Sequence, residues 1–305
     1  MTDLGARIVD VVAPSSACSA VQLESGLATL TAWGLTPRVP PDLFGPKGMT
    51  AHDDATRWRH LRRAVCAEDS ELIWAVRGGY GALRLVDSIA KLPKPRRRKV
   101  LVGFSDITVV QHLAIRAWSW VGVHAPMVGS LAERATLHRE IRRAVLQQPA
   151  RPLTYRGLEP LNRAARATPS RDVQGRLLGG NLKTFQSMLG TQHASLPARC
   201  LLFFEDIGER GYAIDRMLVQ MRLAGFFRGV KAIVFGTFVG GEEPDGTFTG
   251  EAAIAAFAAA MRVPVFRGLS VGHHPETRVL PLGTMASLST GRRGTLRIGA
   301  GWRPV

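Results

Sequence analysis

Apolar and polar positions follow two alternating rhythms along this chain. Residues 7–13, RIVDVVA, are a short β-branched run that predicts a buried strand. Leu23, Leu27, Leu30 and Trp33 then recur at helical spacing and Gly34 closes the stretch, which predicts a helix over 21–33. The exchange continues with a possible short strand at TPRV and an amphipathic helix over 54–69. A strand at LIWAV (72–76), a helix over 81–90 and a strand at KVLVGF (99–104) follow. Next come a helix over 106–120, a short strand or loop at VGVHAP and a helix over 131–148. Repeated β–α–β units predict a parallel sheet covered on both faces. Ligands of such sheets bind beyond the carboxyl ends of the strands. Two glycine-bearing loops, RGGYG (77–81) and GFSD (103–106), fall at such ends.

The rhythm lapses from 149 to 174, where PARPLTYRGLEPLNRAARATPSRDVQG carries four prolines and no steady period. This predicts a linker with one strand at PLTY. A second region then begins, with strands at GRLLGGN, CLLFFED (200–206), VKAIVFGTF and VPVFRGL and two short strands near 284–298. Its helices are predicted at NLKTFQSMLG, 212–225 and 250–261. The expected organisation is an N-terminal α/β domain over 1–148, the linker over 149–174 and a smaller α/β domain of mixed strands over 175–305.

Composition changes this picture little. The 305 residues are 46% hydrophobic, which suits one large or two medium globular domains. The net charge of +16 could signal a polyanionic partner. Arginine, however, supplies 34 of the 40 basic residues and is spread along the chain, as a general preference for arginine would leave it. The one dense cluster, KPRRRK at 94–99, reads as a solvated loop, with a phosphate-binding patch as the alternative. Cys18, Cys66 and Cys200 are odd in number and far apart, which argues against a disulfide framework, and no spacing suggests zinc. Asp3 and Asp10 interrupt the opening segment, so it does not read as a signal peptide, and no run approaches the roughly 18 apolar residues of a membrane span. A cytoplasmic protein is expected, binding neither membrane nor nucleic acid.

Three sites carry candidate chemistry: Ser105, Glu205 and the pair His273 and His274. A serine hydroxyl needs a base within hydrogen-bond reach to become a nucleophile. Histidine suits that task at neutral pH, and a carboxylate on its far nitrogen fixes the tautomer. Local sequence leaves plainer readings open. Ser105 or Asp106 could cap a helix, Glu205 and Asp206 could face water at a strand end, and GHHPE could be a polar loop. In RGGYG the GGxG spacing fails the dinucleotide fingerprint. The loop could hold a phosphate, form an oxyanion hole, or simply turn the chain.

Together these segments resemble the LD-carboxypeptidase family, serine peptidases that include muramoyltetrapeptide carboxypeptidases and the microcin C self-immunity proteins. The likeness rests on VVAPSS (11–16), VRGGYGALRLVD (76–87), GFSDIT (103–108), HAPM (124–127), GGNL (179–182), FFEDIGERGYAIDRML (203–218) and GHHPETRVLPLG (272–283). It implies a flavodoxin-like N-terminal domain that supplies the nucleophile and a C-terminal domain that supplies the other two triad members. By this resemblance Ser105 is the nucleophile, His273 the base and Glu205 its orienting acid, with His274 ranked second to His273. The backbone N–H groups of Gly79 and Asp106 would form the oxyanion hole. Arg77 and Arg216 are candidates for the substrate's terminal carboxylate, each with a structural ion pair as the alternative. The implied substrate is a murein tetrapeptide that loses its terminal D-Ala, with no cofactor or metal, and the family's habit implies a homodimer. The alternative within the family is hydrolysis of toxic peptidyl nucleotides. That would need an aromatic side chain to stack on the base, and the short segment between Val239 and Gly250 offers only Phe248.

Overall fold

The computed structural model describes residues 7–146 and 152–299. They fall into two compact α/β units that meet in sequence at 147/148.

The first unit alternates β1 (Arg7–Val12), α1 (Ala20–Ala32), β2 (Leu35–Arg38), α2 (Asp54–Cys66), β3 (Leu72–Ala75) and α3 (Val86–Ala90). It continues through β4 (Val100–Val102), α4 (Thr108–Trp118), β5 (Val121–His124), α5 (Val128–Leu131) and α6 (His138–Leu146). The five strands pair in parallel in the order β2-β1-β3-β4-β5. Strands β3, β4 and β5 are buried throughout, as a sheet covered on both faces requires. Helix α4 buries nine of its eleven residues. A capping box between Ser19 and Gln22 starts α1. That helix passes α5 at Gly26, where a Cβ would lie 2.0 Å from the Val128 carbonyl oxygen.

Two predicted helices are interrupted. Over 81–90, Gly81 (φ +126°) turns sharply into a 3-10 segment at Ala82–Leu85, and only Val86–Ala90 is α-helical. Over 131–148, α5 ends at Leu131 and a 3-10 stretch with non-helical Arg134 separates it from α6. The His138 ring meets the Leu131 carbonyl at 2.9 Å and stacks edge-on against Trp33, a tertiary contact that helical periodicity cannot reveal. The predicted end at 147–148 lies outside the described residues. Helix α4 stops at Trp118 because Ser119 turns left-handed.

The second unit contains β6 (Leu153–Pro160), β7 (Asp172–Asn181), α7 (Leu182–Gln186), β8 (Cys200–Ile207), α8 (Gly211–Leu223) and β9 (Ala232–Val239). It ends with α9 (Gly250–Ala260), β10 (Val265–Arg267), β11 (Leu280–Leu282), β12 (Met285–Ser289) and β13 (Gly294–Ile298). Seven strands close a barrel in the order β10-β6-β13-β12-β7-β8-β9. The run from β7 through β8 and β9 to β10 is parallel and the remaining pairings are antiparallel. The expected linker over 149–174 is corrected here, its first residues lying outside the described ones. Residues 153–160 are a full barrel strand that bridges β10 and β13, so the second unit is no smaller than the first. Pro152, Gly157 (φ +80°) and Pro160 hid its alternation, in which Leu153, Tyr155, Leu158 and Pro160 face inward. Beyond it, the buried Asn162 side chain donates to the carbonyls of Ala258, Met261 and Val263, which fastens the segment to the end of α9.

Candidate active site

In the first unit, the loops that follow β1, β3 and β4 converge around Ser105. Two residues separate β4 from Ser105, which opens a single 3-10 turn running into α4. Its φ is +63°, a left-handed conformation that costs an L-residue roughly 1–2 kcal/mol. A strand, a strained turn and a helix in this order lift a hydroxyl out at the end of a sheet. Neither the turn nor α4 has a side-chain cap, so the capping alternatives for Ser105 and Asp106 do not hold. Close approach defines the surroundings. A Cβ on Gly78 would lie 2.8 Å from Ser105 Cβ and 3.0 Å from Oγ, and one on Gly103 would lie 2.9 Å from the Ile107 side chain.

The side chain of Asp106 points inward. Its Oδ2 accepts from the Ser15 hydroxyl at 2.6 Å and from the Ala82 N–H at 2.8 Å. Burial pushes its pKa above the usual carboxylate range, against those bonds and the nearby charge of Arg57. Gly79 is left-handed (φ +93°) and packs on Ser16, where a Cβ would come 2.5 Å from Oγ. Ser16 fastens this loop with its N–H to the Gly78 carbonyl at 3.0 Å and its Oγ accepting the Tyr80 N–H at 3.1 Å. Arg77 is exposed and donates to the Ala17 carbonyl at 2.9 Å.

In the second unit the structure brings Glu205 and His273 together. Glu205 ends the apolar run of β8 and is wholly buried, and its Oε2 lies 2.6 Å from His273 Nδ1. Protonated Nδ1 donates to the carboxylate, which leaves Nε2 as the basic nitrogen of that tautomer. An irregularity of β9 opposite Glu205 sets Gly236 and Thr237 against one residue of β8. There Thr237 N–H bonds the Val271 carbonyl at 2.9 Å, anchoring the segment that delivers His273. Gly272 (φ +147°) fits because a Cβ would stand 2.1 Å from Thr237 Oγ1 and 3.1 Å from Glu205 Oε2. His274 is separated from this pair. It is exposed, and its Nδ1 accepts the Glu276 N–H at 3.1 Å.

Asp206, also buried, accepts from Asn181 Nδ2, the Lys183 N–H and the Ile207 N–H, each at 2.8 Å. Burial first, and then the charge of Glu205, push its pKa up to about 6. FFED therefore does not simply meet water at a strand end. Arg216 lies over the exposed Tyr212 ring at 5.3 Å from its centroid, with Arg210 at 5.6 Å. Among the described residues no His/Cys/Asp/Glu group is arranged to hold a metal ion, and no helix is long and apolar enough to cross a membrane.

The LD-carboxypeptidase N-terminal domain matches residues 9–125, and the LD-carboxypeptidase C-terminal domain matches residues 174–288. The chain belongs to the LD-carboxypeptidase family. It is a serine-type carboxypeptidase. A Streptomyces coelicolor protein named as a carboxypeptidase is 31% identical over 301 residues, covering 96% of this chain and 93% of that one. The murein tetrapeptide carboxypeptidase of Pseudomonas aeruginosa is 29% identical over 297 residues, covering 93% and 94%. The crystal structure of muramoyltetrapeptide carboxypeptidase from Oxalobacter formigenes superposes with a TM-score of 0.79 at 28% identity, over 95% of this chain and 98% of that one. The microcin C7 self-immunity protein MccF in complex with aspartyl sulfamoyl adenosine superposes at 0.77 over 98% of each chain. Its 16% identity is a likeness of fold.

Several residues that shape these surroundings escape sequence reasoning. Arg57 sits on an apparently amphipathic helix, yet its side chain is wholly buried under the glycine loop. Gly78, Gly236 and Gly272 matter through close approach, which no periodicity reports. The one available signal was the density of glycine next to chemistry-bearing residues.

Proposed function

We propose that this LD-carboxypeptidase releases the terminal D-Ala of murein tetrapeptides by a Ser–His–Glu acyl-enzyme mechanism. The observation that carries the reading is the 2.6 Å bond from wholly buried Glu205 to His273 Nδ1, which suits an imidazole held in one tautomer as a base. The left-handed Ser105 at a strand-to-helix turn supports its role as nucleophile. In the reaction His273 takes the Ser105 proton as Oγ attacks the carbonyl carbon of the peptide bond before D-Ala. The oxyanion is received by the backbone N–H groups of Gly79 and Asp106. Collapse breaks the C–N bond, and His273 passes its proton to the departing amine. Water, deprotonated by His273, then hydrolyses the ester and restores Ser105.

The names and 28–29% identities of the Pseudomonas and Oxalobacter relatives support the murein substrate over a peptidyl nucleotide. Phe248, the aromatic candidate for base stacking, folds back on the start of α9, where a Cβ on Gly250 would meet its ring at 2.3 Å. The strand order of the first unit supports a flavodoxin-like domain. A cytoplasmic role in murein recycling, action as a homodimer, and Arg77 and Arg216 as carboxylate ligands belong to the same proposal. The test is mass-spectrometric detection of D-Ala from a synthetic L-Ala-γ-D-Glu-meso-diaminopimelate-D-Ala peptide. Release is expected from the native enzyme with or without chelator. Ser105→Ala and His273→Ala should lower it by at least about 10³-fold. Release that survives either substitution refutes that residue's role.

A further inference from the structure

One peptide group in the glycine loop is held from both sides by buried, oppositely charged side chains. The carbonyl of Gly81 accepts from Arg57 Nη1 at 3.0 Å, and the N–H of Ala82, on the same peptide, donates to Asp106 Oδ2 at 2.8 Å. The same two side chains hold the loop after β1. Arg57 Nη1 also donates to the Pro14 carbonyl, and Asp106 Oδ2 also accepts from the Ser15 hydroxyl at 2.6 Å. Asp106 itself follows Ser105. Four bonds from two side chains therefore tie together the loops after β1, β3 and β4.

The guanidinium is fixed in turn. Its Nε donates to the His52 carbonyl at 3.1 Å and its Nη2 to Asp54 at 2.6 Å, so all three nitrogens of its planar fork are engaged. Gly81 is fitted to this arrangement, since a Cβ there would lie 2.8 Å from Arg57 Nη1. Upstream in the same short loop, Gly78 lies against Ser105 and Gly79 carries the proposed oxyanion donor.

We propose that Arg57 and Asp106 are positioning residues that preset the glycine loop beside Ser105 by clamping the Gly81–Ala82 peptide. Oxyanion donors act by being in place before negative charge develops. A loop of glycines has little stiffness of its own, and the clamp supplies it. The inference rests on Ser105 being the nucleophile.

The test compares turnover of the murein tetrapeptide with inhibition by a peptide boronic acid, which forms a tetrahedral adduct on an active serine. Asp106→Ala is expected to lower kcat about 10²-fold with KM within about threefold, the size of effect that a misplacement of about 1 Å produces. Boronate affinity should fall by a similar factor. Asp106→Asn, whose amide oxygen accepts both bonds, should recover kcat to within about tenfold of the native enzyme. A folded Asp106→Ala with native kcat overturns the proposal, as do unchanged boronate affinity beside a lost kcat and an Asn variant as slow as the Ala variant. Should Asp106→Ala fail to fold, Arg57→Lys takes its place. It keeps the charge and loses the fork, and should lower kcat and boronate affinity together by about tenfold or more; native values in a folded variant overturn the proposal. An active Ser105→Ala would refute the nucleophile itself. An inactive Ser105→Ala beside a fully active Asp106→Ala would refute the clamp alone.

Discussion

A single methyl group is enough to test the space beside Ser105 and beside the segment that carries His273. On Gly78 it would come within 2.8 Å of Ser105 Cβ and 3.3 Å of the Phe104 carbonyl, with elbow backbone behind and no room to yield. Gly78 does not have the positive φ of its neighbours Gly79 and Gly81, so Gly78→Ala strains the contact rather than its own backbone. The expected result is a folded protein with kcat down about 10²-fold, read from tetrapeptide turnover alongside thermal unfolding. Gly272→Ala should behave differently. At φ +147°, with Thr237 Oγ1 2.1 Å from the added carbon, it should cost roughly 1–3 kcal/mol of stability as well as displacing His273. Denaturant unfolding of the two variants separates the cases, because Gly272→Ala adds backbone strain to its contact and should lower the midpoint further than Gly78→Ala. Ser105, Glu205 and the pair His273 and His274 stood out as candidates in the sequence because each interrupts or ends an apolar run with a chemically distinct group, and only the family resemblance ranked His273 over His274. Gly78 and Arg57 were not, because their roles depend on neighbours distant in sequence.

Elements that take their stability from their own periodicity were legible, and elements defined by their partners were not. The strands around LIWAV and CLLFFED and the helices α2, α4, α8 and α9 follow directly from apolar spacing. Strand β6 did not, because it is held by β10 and β13 despite two prolines and a glycine, and barrel closure is a long-range fact. The end of β8 also exceeds what the pattern could say, since a strand ending in two carboxylates reads as solvent-exposed and both are in fact buried. That burial has a measurable sign. Asp206 titrates at about 6 in the folded protein against 3.8 for the ordinary side chain, so the folded state holds the extra proton between those values. The stability contributed by Asp206 is therefore greatest below about pH 4 and is lost as pH rises to about 6. Asp206→Asn removes this titration. The native-minus-variant difference in unfolding free energy should shrink between pH 4 and 7 by about 3 kcal/mol, because each tenfold difference in proton affinity between the folded and unfolded states is worth about 1.4 kcal/mol. A flat difference curve would show that Asp206 does not titrate in that window.

The excess of positive charge belongs to the whole molecule, and the structure divides it into parts that can act and parts that cannot. In the run KPRRRK, Arg96 and Arg97 are exposed and meet Glu68 and Glu71 at 3.5 Å, whereas Lys99 is buried on the Ala64 carbonyl and Ser70. The run is thus a solvated loop whose last residue belongs to the core, and burial brings the Lys99 pKa down to about 8. Local pairing of this kind cancels charge at short range but leaves the net +16 that a distant anion meets. The proposed murein tetrapeptide carries several carboxylates, so the mean field should raise its encounter rate without touching the bond-breaking step. Between about 20 mM and 0.5 M salt the screening length contracts from roughly 20 Å to about 4 Å. KM for the tetrapeptide should then rise by about threefold or more while kcat stays constant. A tetrapeptide whose side-chain carboxylates are amidated keeps one carboxylate against two amino groups, and its KM should show no rise. Equal salt dependence for the two peptides would mean that binding feels only local partners of the terminal carboxylate, and that the arginine excess is a matter of composition rather than of capture.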